Sequence, residues 1–152
     1  MFLFFFNDER MDANTLADYV LKKAAEKEIA VTNLKLQRIL YYVQGHYLAK
    51  FGHPLFPDEI HAWKTGPVIP NVYFTFSKYG PDHLVMRKEP DMWRCPSNEL
   101  ALIDSVISDK LNISASELSS MARRTSPWSR AMARGVQLIE LDKIKEFFEQ
   151  KE

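Results

Sequence analysis

Between Thr32 and Phe56 apolar residues recur at helical intervals and cover most of the circumference of the helix they imply. At about 100° per residue, Leu36, Ile39, Leu40, Val43 and Tyr47 fall on one face, with Leu34, Gln37, Tyr41, Gln44 and Leu48 in a second stripe beside it. Lys35, Arg38 and His46 are left to keep the remaining arc polar. Thr32 or Asn33 supplies an N-cap, and Gly52 followed by Pro54 ends the helix. Such a helix is roughly 27 Å long at about 1.5 Å per residue. With so wide an apolar arc it must touch several elements at once, which makes it the spine of the expected fold.

The pattern before this stretch predicts another helix over Asp12 to Glu28, capped by Asp12, with Ala13, Leu16, Ala17, Val20 and Ala24 facing inward. The link between the two is short, so an antiparallel helical hairpin is expected. After the turn, Glu59 to Lys64 reads as a short extended piece with Ile60, Ala62 and Trp63 pointing inward, broken by Thr65, Gly66 and Pro67. Pro70 to Tyr79 predicts a short helix with Val72, Phe76 and Tyr79 on its apolar face and Gly80-Pro81 beyond its end. Leu84 to Trp93, split by charges and Pro90, predicts a short strand or an irregular arm.

Helical spacing returns after Ser97 and runs to about Leu111. Ser114 to Glu117 fits a capping box, and Ser126, Pro127 and Trp128 offer an N-cap, an N1 proline and an aromatic before Gly135 closes a brief helix. Leu138 to Leu141 predicts a short strand, and Asp142 to Gln150 a last helix with Ile144, Phe147 and Phe148 inward. The expected fold is mainly α: a compact single-domain helical fold around a central helix hairpin, with a few short β-strands.

Composition narrows the function. A chain of 152 residues, 46% hydrophobic, supports one sizeable core, and no linker divides it. Twenty basic and twenty acidic residues cancel, so no net field steers the chain to nucleic acid or an anionic membrane. Cys95 is the single cysteine, which leaves no internal disulfide and fits a reducing, cytoplasmic location with a buried thiol. The opening run M-F-L-F-F-F-N-D-E-R lacks a basic lead and is shorter than a signal-peptide core, so neither a signal peptide nor a membrane span is expected. A well-formed helix starts just after Met11, and residues 1–10 are expected to be a poorly ordered or artefactual extension of a domain that covers 11–152.

Chemistry is sparse. His46, His53, His61 and His83 match no metal-ligand spacing, and no nucleotide-binding or nucleophile-elbow motif occurs. No metal, no cofactor and no enzymatic activity are expected, since no nucleophile and base pair can be nominated. Most information lies in K-T-G-P-V-I-P-N-V-Y, from Lys64 to Tyr73. With Trp63 it describes either a rigid recognition platform or the turn chemistry of a tight strand-to-helix crossing. Arg123, Arg124, Arg130 and Arg134 cluster in sequence beside Trp128, and they read as a solvated face more readily than as a phosphate-binding one. An acidic patch on a partner is the intermediate reading.

A resemblance adds to this. L-K-L-Q-R-I-L-Y-Y-V-Q-G-H-Y-L-A, from Leu34 to Ala49, is very similar to the signature L-x-L-Q-K-L-L-Y-Y-x-Q-x-x-x-L-A of the Panacea domain, also called the SocA-like or GepA-like antitoxin domain, of bacterial toxin-antitoxin loci and phages. The likeness continues through Pro54-Leu-Phe, Ala62-Trp-Lys-Thr-Gly-Pro-Val-Ile-Pro, Val72-Tyr, Phe76 and Tyr79-Gly, and weakly through Leu118-Ser, Pro127-Trp128 and Ile144 to Phe148. Many relatives carry Thr-His before the Pro-Trp pair where this chain has Ala122-Arg123, so no role of that histidine transfers.

The resemblance implies a mostly helical antitoxin that neutralises a cognate protein toxin by direct contact, without catalysis. Presentation of the toxin to a protease is a variant. The partner-binding surface is expected near Trp63, Lys64, Gly66, Pro67, Tyr73 and Trp128, with Gln37, Tyr41 and Gln44 lining the same cavity. Two alternatives stand beside it: a phage-associated interaction module that binds a host protein, and a nucleic-acid-binding regulator that uses the four arginines.

Overall fold

The computed structural model describes residues 11–80 and 82–150, so the expectations for residues 1–10 and for Pro81 lie outside the described residues. Asp12 caps the first helix, α1 (Ala13–Glu26), by accepting the Thr15 N–H at 2.8 Å. The central helix, α2 (Asn33–Phe51), is capped by Thr32 and stopped by Gly52, which takes the left-handed conformation at φ 82°. Both ends follow local sequence rules. What surrounds α2 does not: nearly every residue from Asn33 to Leu48 is buried, including Lys35 and Arg38. The arc expected to face solvent is therefore internal. Lys35 Nζ donates to Leu111 O at 2.8 Å, Arg38 donates to backbone carbonyls, and His46 lies against Tyr42 and Phe148.

Four further helices complete the second half: α4 (Ser97–Leu111), α5 (Ala115–Arg123), α6 (Ser126–Arg134) and α7 (Leu141–Gln150). The short α3 (Pro70–Phe76) precedes them. The most extensive packing on α2 comes from α7 and α4, then from α5, while α1 contributes less. Distant helices, more than the local hairpin partner, therefore close the core. Gly45 marks the tightest approach: a Cβ there would overlap the Phe148 ring of α7. Phe148 sits with its centroid 5.6 Å from Tyr41, 5.7 Å from Tyr42 and 4.9 Å from His46.

Three short strands, β1 (Ile60–Trp63), β2 (Gly66–Val68) and β3 (Leu138–Ile139), form an antiparallel sheet in the order β2-β1-β3. The residues expected to break the chain, Thr65 to Pro67, instead complete a hairpin. Pro67 is tolerated because its partner Ala62 sends its N–H the other way, to Gln137 O at 2.6 Å, so this register asks no N–H of Pro67.

Other boundaries shift for identifiable reasons. Ser77–Tyr79 tightens to a 3₁₀ turn, and Tyr79 is 38% exposed where an inward position was expected. Thr125, one residue before the expected Ser126, is the N-cap of α6; its hydroxyl bonds Ala122 O and Tyr41 and so makes no cap bond. Leu84 to Trp93 forms no strand. It is pinned instead by the fully buried Asp18, which accepts from the Arg87 backbone N–H at 2.8 Å and from its guanidinium at 2.8 Å. Among the described residues no helix is long and apolar enough to cross a membrane.

Candidate partner-binding surface

The β1–β2 turn consists of two residues, Lys64 and Thr65, both exposed and both with negative φ; the positive φ, 137°, falls on Gly66. A side chain there would be strained, and a Cβ would also meet Arg38 Nε at 2.8 Å. The turn is thus shaped around the arginine beneath it. Arg38 Nη1 donates to Pro67 O at 3.2 Å, and Nη2 donates to Thr65 O. Arg123 Nη1 reaches the same Thr65 O at 3.1 Å from the end of α5. Trp128 Nε1 donates to Trp63 O at 2.8 Å from α6.

Three carbonyls of the hairpin are therefore held by donors from three helices. The side chains of the tip are left facing outward. Trp63, half-buried, packs its ring against Tyr73 at 5.0 Å and Phe74 at 6.0 Å, and Tyr73 and Phe74 meet edge to face at 5.4 Å. Asn33 Nδ2 fixes this end of α3 by donating to Tyr73 O at 3.0 Å. Phe74 is 64% exposed, so one aromatic of the trio stands in solvent. The arrangement offers an apolar patch beside a rigid turn, the form of a preorganised docking surface.

The nine residues expected at the site divide into two groups. Trp63, Lys64, Gly66, Pro67, Tyr73 and Trp128 come together around the hairpin. Gln37, Tyr41 and Gln44 are fully buried and bonded internally. Gln37 accepts the Ile69 N–H at 2.9 Å and donates to Asn33. Gln44 accepts the Leu55 N–H and donates to Phe56 O, both at 2.8 Å. Thr125 gives its proton to Ala122 O, so the Tyr41 hydroxyl donates to Thr125 Oγ1 at 2.7 Å. Burial pushes the Tyr41 hydroxyl pKa well up. Gln37 and Gln44 hold the chain's own backbone, Tyr41 holds the Thr125 hydroxyl, and none of the three is open to solvent.

The four arginines that cluster in sequence separate in space. Arg123 serves the hairpin, and Arg124 turns to Ser120 at 2.8 Å and Glu117 at 3.6 Å. Arg130 and Arg134 line a groove of about 390 Å³ between α6, β3 and α7, with Lys143 and Phe147. Among the described residues no three side chains of metal-ligating type converge.

Phe74, exposed, and Arg38, buried beneath the turn, help build this site and were not among the residues expected there, and Arg123 was read only as one of the four clustered arginines. Phe74 carried a usable signal, since an aromatic off the Val72–Phe76 face of a short helix has no core to enter. Arg38 carried none, because beside Lys35 and His46 it reads as one more member of a polar arc.

Comparison with known proteins follows the same region. A sequence profile described as antitoxin SocA-like, Panacea domain, matches residues 36–129, more than half of the chain. Antitoxin SocA of Caulobacter vibrioides (strain NA1000 / CB15N) is 42% identical over 79 residues, which are 52% of this chain and 42% of that protein. The matched part thus spans less than half of that relative's length. No solved structure matches the chain.

Proposed function

Because this chain belongs to the SocA-like antitoxin family with a Panacea domain, we propose that it works in the cytoplasm as the antitoxin of a toxin-antitoxin pair, binding a cognate protein toxin and masking it sterically. It acts by contact, with no catalytic step. The observation that carries the docking site is the β1–β2 hairpin, whose carbonyls are tied to α2, α5 and α6 while Trp63, Lys64 and Phe74 face outward. A surface already rigid in the free protein loses little entropy on binding, which favours tight capture.

The test is co-expression with the adjacent open reading frame, followed by affinity pull-down. Growth arrest by that frame alone, relieved when this chain is present and accompanied by a co-purifying complex, is the expected result. Replacement of Trp63 and Phe74 by alanine together is expected to abolish rescue while the protein stays folded. A neighbour that is not toxic, and that forms no complex, overturns the proposal. Rescue with falling toxin abundance and no stable complex would instead favour delivery of the toxin to a protease.

A further inference from the structure

Arg38 is the largest fully buried side chain among the described residues, and it lacks a counter-ion. Two of its nitrogens meet carbonyls, Nε has no partner, and no described carboxylate pairs with it. Burial first, and then the neighbouring Arg123, push its pKa down to about 10, still far above neutrality, so the charge persists. Arg123 is itself exposed and bonded to Thr65 O, and Lys64 stands exposed at the turn. Arg124, one residue along, has Glu117. A chain of zero net charge therefore concentrates unbalanced positive charge at its hairpin tip. Carbonyl dipoles soften the cost of a buried cation but do not cancel it, and an incoming anion would.

Resting on the antitoxin reading, we propose that the toxin meets this tip with a carboxylate-bearing segment. An aspartate or glutamate of the toxin pairs with Arg123 and offsets the Arg38 charge beneath, while an apolar residue next to that acid covers Phe74 and the Trp63 ring. Thr65, which Arg123 contacts, lies two residues from Trp63, so their Cα atoms are at most about 7 Å apart. One short segment therefore spans both subsites. The aromatic patch favours a protein over a nucleic acid, because three cations at one turn make a point of charge, whereas a phosphate backbone needs a track.

The experiment uses the full chain and the product of the adjacent reading frame, with affinity measured by calorimetry at low and high salt. Arg123→Glu is expected to weaken the complex about a hundredfold and Arg123→Gln about tenfold, while Arg123→Lys stays within about threefold of the parent. Salt is expected to weaken the parent complex, and to weaken Arg123→Gln less because Lys64 and Arg38 keep part of the field. Lys64→Glu, at an exposed position, checks the same field without touching the Thr65 hydrogen bond and is expected to cost about tenfold. Arg94→Glu, exposed elsewhere, should leave affinity unchanged.

Parent-like binding by Arg123→Glu and Lys64→Glu overturns the inference and leaves the antitoxin reading standing. An equal loss in Arg123→Lys and Arg123→Glu also overturns it, because the hydrogen bond and not the charge would then matter. A shift on DNA or RNA at low salt, abolished by Arg123→Glu, would assign the anion to phosphate and overturn the carboxylate. Absence of any complex with the parent chain overturns both readings together.

Discussion

The two sides of α2 hold their neighbours by different means. Toward residues 55–69, Gln37, Arg38 and Gln44 place amide and guanidinium groups on backbone atoms of the exit loop and the hairpin. Toward α7, Tyr41, Tyr42, Gly45 and His46 act through shape, with Phe148 seated among them, while the α4 side is mixed, with Lys35 Nζ on Leu111 O and the Tyr47 hydroxyl on Glu99. The difference follows from what each side receives. Loops and short strands arrive with unmet backbone groups, which burial would penalise, so they need polar side chains inside. The flank of a helix arrives with its hydrogen bonds already closed and needs mainly complementary volume, while an end such as Leu111 O still takes a donor.

The contrast can be broken most forcefully at Phe148. Truncation to alanine removes a fully buried ring and is expected to cost about 3–5 kcal/mol in chemical denaturation, because the rigid walls of α2 collapse only partly. A loss below about 1 kcal/mol, on the scale of the Leu and Phe truncation series, would mean that shape does not hold this side.

Gln44→Leu is next and probes the other side. It conserves approximate volume and leaves the Leu55 N–H and Phe56 C=O unpaired, each worth about 1–3 kcal/mol when buried. Hydrogen exchange is expected to quicken at the Leu55 amide while α7 keeps its protection. Trp128→Phe, which removes the donor to Trp63 O alone, should cost about 0.5–1.5 kcal/mol. Its mark is local loosening of the hairpin in the same exchange experiment.

Tyr42→Phe is expected to change little near neutral pH and to act only in alkali. Burial raises the Tyr42 hydroxyl from 10.0 to about 12, with Arg124 opposing. Between about pH 10 and pH 12 the unfolded chain gives up this proton while the folded one keeps it, so stability falls as pH rises, by at most about 1.4 kcal/mol per pH unit from this group. Well below pH 10 the group contributes no slope. Denaturation at stepped pH should show the parent's alkaline decline, and a shallower one in the phenylalanine variant.

The same division explains what the sequence made legible. Caps at Asp12, Thr32 and Ser114 and the stop at Gly52 could be read because each depends on a few neighbouring residues. Gln37 and Gln44 were placed at the partner surface because an amide in an apolar stripe looks the same whether it will bond a partner's backbone or its own. Nothing local to Gln37 reveals that its oxygen accepts the N–H of Ile69, 32 residues on. Arg38 and Lys35 read as solvent-facing for the same reason, since the carbonyls that receive them belong to other elements. The pairing of Trp128 with Trp63 crosses 65 positions and leaves no periodic trace. The hairpin was half legible: Gly66 and Pro67 announced a change of direction, but only the register with Ala62 shows why a second strand accepts that proline.

Closure of the core by α7 also sets a schedule for synthesis. Leu141 follows Phe51 by 90 residues, and at about 5–20 residues per second a ribosome needs roughly 5–20 s to cover that interval. Throughout it, Tyr41, Tyr42 and His46 have been made without the α7 ring that packs on them, as a surface that chaperones and proteases can read. Each molecule closes its core only when α7 docks. The amount of folded protein at any moment is therefore set by chains in which α7 has been made and has docked, and chains still short of it add nothing to that amount.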